Sequence, residues 1–243
     1  MNIIKLNATD STNTYLKELA KETQLPDETV AITNHQTSGR GQMGNVWRSK
    51  KGQSLTFSMF KTLGAVPVDH QFMVAMATSL GVLDALNTLN IPSVSIKWPN
   101  DILSAKSKIG GILIENVIEG SSLKYTIVGI GLNVNESVFH DLPKASSLKM
   151  ETGCEFNLAE VLQKITTQVF KKLNNLNQEN FHDLKAAYEK NLFQKDAISV
   201  FEALDGSRFN GIIKGTSDIG ALLVETENNG LRAFQLKEVR LIY

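Results

Sequence analysis

The feature that most constrains this chain is a run of strand-forming segments parted by turn signals between Val94 and Asn135. An apolar, β-branched approach through Val94 and Ile96 is stopped by Pro99 and Asn100, and strand character resumes from Ile109 to Glu115. Gly120-Ser121-Ser122 then reads as a turn, and Leu123 to Val128 as the hairpin partner. Asp101 and Lys108 stand on either side of the first bend, so two opposite charges enter and leave one turn. Gly110 and Gly111 have no Cβ, so a ligand could lie directly against their backbone, at a cost in packing and chain entropy. The partner strand runs into Gly129-Ile130-Gly131-Leu132-Asn133-Val134-Asn135, two stripped positions and two amides suited to hydrogen-bonding a base or ribose. Its Gly-x-Gly lacks the third glycine and the following helix of a dinucleotide fingerprint, which rules out a Rossmann reading.

A second informative stretch follows the strand Thr29 to Asn34: His35-Gln36-Thr37-Ser38-Gly39-Arg40-Gly41-Gln42-Met43-Gly44-Asn45-Val46-Trp47. Three glycines, one arginine and almost no apolar anchor before Val46 and Trp47 predict a mobile loop that orders around something. The Gly-Lys-Ser/Thr ending of a Walker loop is absent. The parts present suit an aromatic nucleotide: backbone N–H groups and a guanidinium for anions, an indole for stacking. A surface loop without a ligand is the plain alternative.

Ile3 to Leu6 reads as a strand and Thr14 to Lys21 as a helix capped by Asp10 or Ser11, with Tyr15, Leu16, Leu19 and Ala20 as its apolar stripe. Ser54 to Phe60 alternates as a strand, with Leu55, Phe57 and Met59 on one face. Asp69 to Leu89 is the longest helix, its methionines assigned to packing. Phe139 to Cys154 reads as a loop. Two further helices, from Asn157 and over about 178–192, are expected to pack as a hairpin on the sheet. From Ala197 the texture changes to short strands parted by Asp205-Gly206, Asp218-Ile219-Gly220 and Asn228-Asn229-Gly230, turn signals for a small β-barrel. A domain boundary is placed near residue 194, giving units 1–194 and 195–243, the second too small to be stable without docking on the first.

Charge and composition exclude several classes. Twenty-five basic residues balance twenty-five acidic ones, which advertises no nucleic-acid partner. No stretch approaches the ~20 apolar residues of a membrane span and the start carries no signal peptide, so a cytoplasmic location is expected. Cys154 is the single cysteine, and His35, His70, His140 and His182 lack ligand spacing, so no protein-held metal is expected.

Taken in order, Ser11-Thr12-Asn13, Gly39-Arg40-Gly41-Gln42-Met43-Gly44 with Trp47, Lys97-Trp98-Pro99-Asn100-Asp101, Lys108-Ile109-Gly110-Gly111-Ile112-Leu113-Ile114-Glu115 and Gly129-Ile130-Gly131-Leu132-Asn133 resemble the biotin protein ligases over roughly residues 9–135. The β-module fits that family's carboxy-terminal SH3-like domain by pattern alone. The resemblance implies an α+β fold: a mixed β-sheet catalytic domain (1–194) binding biotin and ATP, helices packed mainly on one face, and a C-terminal SH3-like barrel. It implies that biotin and ATP, with Mg²⁺, give biotinyl-5′-AMP, and that a lysine on the biotin carrier domain of a biotin-dependent carboxylase, such as acetyl-CoA carboxylase, takes the biotinyl group.

By the same match, Lys108 would touch the biotin carboxylate and the α-phosphate, Arg40 would assist from the loop, and Asp101 would orient Lys108, accept a proton or help hold Mg²⁺. Ser11, Thr12, Asn13, Gln36, Gly39, Arg40, Gly41, Gln42, Lys108, Gly110 and Gly111 would form the biotin site. Arg40, Trp47, Lys97, Asn100, Lys108 and Asn133 would serve ATP and the adenylate. Many members carry further arginines where this chain has Gln42, Met43 and Asn45, so retention of the adenylate falls to Arg40, Lys108 and loop packing. The pattern starts within the first dozen residues, so the DNA-binding domain of some members is not expected and neither is a repressor role. A homodimer through a sheet edge near Val117 to Tyr125 is an open expectation. A lipoate or octanoate ligase or transferase would share the architecture but not these motifs, and a noncatalytic biotin or nucleotide sensor would have no need of Lys108.

Overall fold

A computed structural model describes residues 1–64, 66–140, 142–227 and 229–243, without the side chain of Met43. The chain opens with β1 (Asn2–Leu6), α1 (Thr12–Glu22), β2 (Thr29–Thr33), β3 (Ser54–Thr62) and α2 (Phe72–Thr88). It continues through β4 (Val94–Lys97), β5 (Asp101–Ser104), β6 (Ser107–Glu119) and β7 (Ser122–Asn133), then α3 (Leu148–Thr152), α4 (Leu158–Asn174) and α5 (Phe181–Lys190). Five strands close it: β8 (Ile198–Ala203), β9 (Arg208–Thr216), β10 (Leu222–Thr226), β11 (Gly230–Phe234) and β12 (Val239–Ile242).

The first sheet has seven strands in the order β1-β2-β3-β7-β6-β5-β4, and it is mixed because β1 runs parallel to β2 while the others pair antiparallel. The long β6–β7 hairpin lies inside it, as the two strand runs parted by Gly120-Ser121-Ser122 predict. The strand β3 shows how the two faces differ. Leu55, Phe57 and Met59 enter the main core, whereas Phe60 joins Leu16 of α1, Ala31 and Ile127 on the other side. Ser11 caps α1 by accepting a hydrogen bond from Thr14 N–H, and Asn157 caps α4 through Ala159 and Glu160.

Helix α2 is buried nearly all round, wedged between the sheet, α4 and α5. A Cβ on Gly81 would lie 2.7 Å from Val169 Cα, so α2 and α4 cross in backbone contact. The expected helix hairpin is therefore corrected: α4 and α5 each pack on α2. Two further readings change. The bend between Asp101 and Lys108 contains a short strand, β5, because Ile102 and Leu103 are buried and pair with both β4 and β6. The loop expected from Phe139 to Cys154 contains α3, capped by Ser147 and ended by Gly153 in the left-handed region; Asp141 lies outside the described residues.

The last five strands form an antiparallel sheet in the order β11-β10-β9-β8-β12. Its outer strands each pair on one side only, so the expected barrel is an open sheet among the described residues. Asn228 of the expected Asn228-Asn229-Gly230 turn lies outside them. Phe201, Ile213, Leu222, Val224 and Phe234 belong to the same apolar cluster as α2 and the first sheet. Trp98 Nε1 donates to Gly220 O at 2.9 Å and Thr216 N–H donates to Glu189 at 2.8 Å, so polar ties accompany that packing. Among the described residues no helix is long and apolar enough to cross a membrane.

Candidate active site

A cavity of about 480 Å³ lies where the first turn of α1, the 39–47 loop, the middle of β6 and β7, and the second sheet converge. Its floor is a bare patch of backbone. Gly111 pairs across the sheet with Gly131, and Gly129 sits two residues earlier on the same face. A Cβ on Gly131 would fall 2.2 Å from Trp47 Cε2, and one on Gly129 would fall 2.4 Å from Asn13 Oδ1. The glycines thus admit the indole and the amide against the sheet. Trp47 also meets Gly111, and its Nε1 is buried with no acceptor among the described residues.

The 39–47 loop folds back on itself. Gly41 N–H donates to Asn45 O at 2.7 Å and Trp47 N–H to Gly39 O at 2.9 Å, which closes a small hairpin carrying Arg40 and Gln42 on the cavity wall. Arg40 Nη2 donates to Thr14 Oγ1 at 2.6 Å and lies 3.6 Å from Glu115 Oε2.

At one end of the cavity three charges meet. Asp101 Oδ1 is 2.6 Å from Lys108 Nζ and Asp101 Oδ2 is 3.3 Å from Lys97 Nζ, two cations on one carboxylate, so the group carries a net positive charge. Pairing of β4 with β5 and of β5 with β6 brings them together, since Lys97 faces Asp101 in the register and Lys108 follows one strand over. The Tyr243 ring lies 5.7 Å from Lys97 Nζ, and its hydroxyl is pushed up by burial and by the nearby Asp101 charge. Asn100 Nδ2 donates to Ile112 O at 2.8 Å, fixing the turn above the patch.

At the other end Ser11, Thr12, Asn13 and Gln36 are neutral, with a Glu115–Lys17–Arg40 ion cluster beside them. Gln36 Oε1 accepts from Thr12 N–H at 2.9 Å and from Thr12 Oγ1 at 3.2 Å. Ser58 Oγ lies 2.7 Å from Thr12 Oγ1 and 2.5 Å from Asn13 Oδ1, and Asn13 Nδ2 donates to Glu115 at 2.9 Å. Burial pushes the Glu115 carboxyl up, but the Asn13 amide, Lys17 and Arg40 outweigh it and leave the group below the ordinary carboxylate range.

Of the residues expected from the sequence, Ser11, Thr12, Asn13, Gln36, Arg40, Gly41, Gln42, Trp47, Lys97, Asn100, Asp101, Lys108 and Gly111 line this cavity. Three do not. Gly110 faces Leu132 and Ile102 on the core side, because neighbouring strand residues point to opposite faces. Asn133 is buried and spends its Nδ2 on Ser146 O at 3.0 Å. Gly39 borders an adjoining hollow and supports the loop, a Cβ there falling 2.4 Å from Trp47 O. Gly129 and Gly131, the two stripped positions that the sequence offers for a base or ribose, also line the cavity, on one strand face two residues apart. The sequence reading missed the wall from the second sheet, including Lys237, Val239 and Arg240, for which no local pattern exists. Among the described residues no group of three or more His, Cys, Asp or Glu side chains could hold a metal ion.

Residues 6–133 match the biotin/lipoate A/B protein ligase family. The chain is 29% identical to the bifunctional ligase/repressor BirA of Bacillus subtilis, over 99% of this chain and 74% of that protein. It is 34% identical to a biotin--[acetyl-CoA-carboxylase] ligase of Mycobacterium tuberculosis, over 58% of this chain and 52% of that one. Its fold is similar to that of a biotin protein ligase from Aquifex aeolicus in complex with biotin and ATP, with a TM-score of 0.80 and 28% identity, covering 99% of this chain and 98% of the other.

Proposed function

From the premise that this chain belongs to the biotin/lipoate A/B protein ligase family, we propose that it joins biotin to a lysine of a biotin carrier domain at the expense of ATP. The observation that carries the reading is the Lys97–Asp101–Lys108 group standing in the same cavity as the Gly111–Gly131 patch, Trp47 and the Asn13 network. A carboxylate attacking a triphosphate brings anion to anion, so fixed cations at the meeting point lower the barrier most.

In the first step a biotin carboxylate oxygen bonds to the α-phosphorus, and pyrophosphate leaves with the electron pair of the broken P–O bond. Lys108 contacts both partners, with Asp101 orienting its ammonium at 2.6 Å and Arg40 adding charge from the loop. In the second step the ε-amine of the carrier lysine attacks the acyl carbon, loses a proton, and AMP departs as the acyl–phosphate bond breaks. The amide-rich end would hold the ureido ring, with Gln36 and Asn13 as its polar partners. Trp47 would flank the adenine beside the glycine patch. The loop that closes over the cavity would keep water from the adenylate.

Asp101 is the one carboxylate lining the cavity among the described residues, and two lysines already share it. The Mg²⁺ that accompanies ATP would therefore be carried mainly by phosphate oxygens and water. The acceptor would be the carrier domain of a carboxylase, acetyl-CoA carboxylase by analogy with the Mycobacterium tuberculosis relative, and the cytoplasm is the proposed location. Residues 195–243 would act as an SH3-like domain that walls the cavity. Past Gly111, β6 has no partner strand on its β5 side among the described residues, and that edge would serve a homodimer, to be checked by sedimentation.

The test is ATP-dependent transfer of biotin to a purified carrier domain, wild type beside Lys108→Ala, with lipoate and octanoate as competing acids. Transfer of biotin alone, strongly slowed in the variant, is expected. Tight biotin binding without transfer would replace the ligase reading with a sensor, and transfer of lipoate would reassign the acid.

A further inference from the structure

Glu115 has no role in the chemistry above, yet it is the charged end of the hydrogen-bond chain that builds the neutral corner. It lies on β6, four residues beyond Gly111 and on the same face, with its side chain 22% exposed. Lys17 Nζ is 3.3 Å away and Arg40 Nη2 3.6 Å away, two cations that favour the ionised carboxylate. An ionised carboxylate only accepts hydrogen bonds. The group of Asn13 that faces it must therefore be the NH₂, whose nitrogen lies 2.9 Å from Glu115 Oε2 and 3.3 Å from Leu113 O. Both amide protons then have acceptors, and the Asn13 oxygen is turned toward Ser58 Oγ, 2.5 Å away, and the Gly129 backbone. The Ser58 hydroxyl has one proton and two near acceptors, Asn13 Oδ1 at 2.5 Å and Thr12 Oγ1 at 2.7 Å, so it takes at most one of the two lone pairs on the amide oxygen.

We propose that Glu115 is a specificity-determining positioning residue: it locks Asn13 with its carbonyl oxygen toward the cavity, so that this corner accepts hydrogen bonds from a cyclic urea. An amide is nearly symmetric in shape but opposite in polarity at its two ends, so a flip would set NH₂ against a ring N–H, donor against donor, and the amide oxygen against the Glu115 carboxylate. Acids without ring N–H groups gain nothing from the lock. Selection among acids thus reaches the ligand through a carboxylate that does not touch it.

The inference rests on the ligase reading, and the experiment separates the two. Biotin affinity by calorimetry and steady-state transfer of biotin and of lipoate are measured on the full chain for wild type, Glu115→Gln and Glu115→Asp, with thermal melts alongside. Gln supplies its own NH₂ and permits the flip. Glu115→Gln is expected to weaken biotin roughly ten- to a hundredfold, the span of a charged hydrogen bond. The kcat at saturating biotin and the KM for ATP stay within about threefold, because Arg40, 3.6 Å from Glu115, keeps its shorter bond to Thr14 Oγ1 at 2.6 Å and the reacting carboxylate lies at the other end of the cavity. The ratio of biotin to lipoate kcat/KM falls with the biotin affinity, and Glu115→Asp, still only an acceptor, recovers most of it. A variant with wild-type biotin affinity, or one whose loss falls on kcat or on ATP, overturns the inference while leaving the ligase reading intact. A wild type that neither binds nor transfers biotin ends both. Should Glu115→Gln not fold, nuclear Overhauser contacts in the wild type decide: Asn13 NH₂ protons near the Glu115 methylenes support the lock, and the same protons near the Ser58 methylene overturn it.

Discussion

Ser11, Thr12, Asn13 and Ser58 at one end of the cavity are at most 4% exposed and neutral, whereas at the other end the charged side chains of Asp101, Lys97 and Lys108 are 16–37% exposed. The contrast follows from what each end must do. Neutral donors and acceptors lose little by burial once paired, so the first end can be rigid and preformed. Cations that must meet a polyanion, turn over and release it are better left partly hydrated, since full burial would cost more than the pairing returns. Recognition is thus fixed by packing, and reactivity by charges that can rearrange.

The sharpest way to break that comparison is Lys108→Ala. If the charged end supplies rate rather than recognition, kcat for adenylate formation falls about a hundred- to a thousandfold while biotin affinity changes far less. Burst measurement of pyrophosphate release reads it; an equal loss in affinity would mean that Lys108 serves both ends alike. Next in size is Gly131→Val. Its Cβ would fall 2.2 Å from the Trp47 ring, so the indole must leave its seat. A loss of roughly tenfold or more in ATP affinity is expected, with Trp47 fluorescence shifting to the red as the ring meets water.

A smaller effect sharpens the role of the loop. Arg40→Ala is expected to leak the adenylate a few times faster than Gln42→Ala, since Arg40 is the loop's only cation. Radiolabelled adenylate released into solution, timed in both variants, gives the comparison, and equal retention would assign the seal to loop packing alone.

How far the sequence carried differs between the same two regions. Lys97, Asp101 and Lys108 lie within twelve positions, flanking a bend, and local strand pairing brings them together, so their meeting was legible. Gly110 and Gly111 were not separable, because which of two neighbours faces the cavity depends on register, and β5 shifts register against β6 between Ile102 and Leu103. The partner of Asn133, Ser146 O, was not legible because it lies in a connection without pattern. Lys237 and Arg240 were invisible: nothing near them in sequence announces that a second sheet will wall the cavity. Local charge and turn chemistry were readable, and long-range packing was not.

The smallest effect concerns acid. Burial pushes the Asp27 carboxyl up, but hydrogen bonds from Lys61 and from Thr62 outweigh it, so the folded protein holds Asp27 below its ordinary value. A carboxyl with a depressed folded pKa stabilises the protein above its unfolded pKa, and that contribution is lost as pH falls through the folded one. Glu115 has the same sign. The side chain of Asp27 is 40% exposed, so solvent screening limits its share to about 1 kcal/mol or less. Urea melts between neutral pH and pH ~3 should therefore show stability falling as the ordinary carboxylate range is crossed. Asp27→Asn should start lower, because Lys61 is only 8% exposed and loses its partner, and should fall less steeply. Asp27 does not belong to the charged end, so Asp27→Asn should leave kcat for adenylate formation unchanged at neutral pH. If kcat falls with the stability instead, the fold's acid-sensitive contacts reach the reacting groups, and the division between a rigid end and a reactive charged one is not clean.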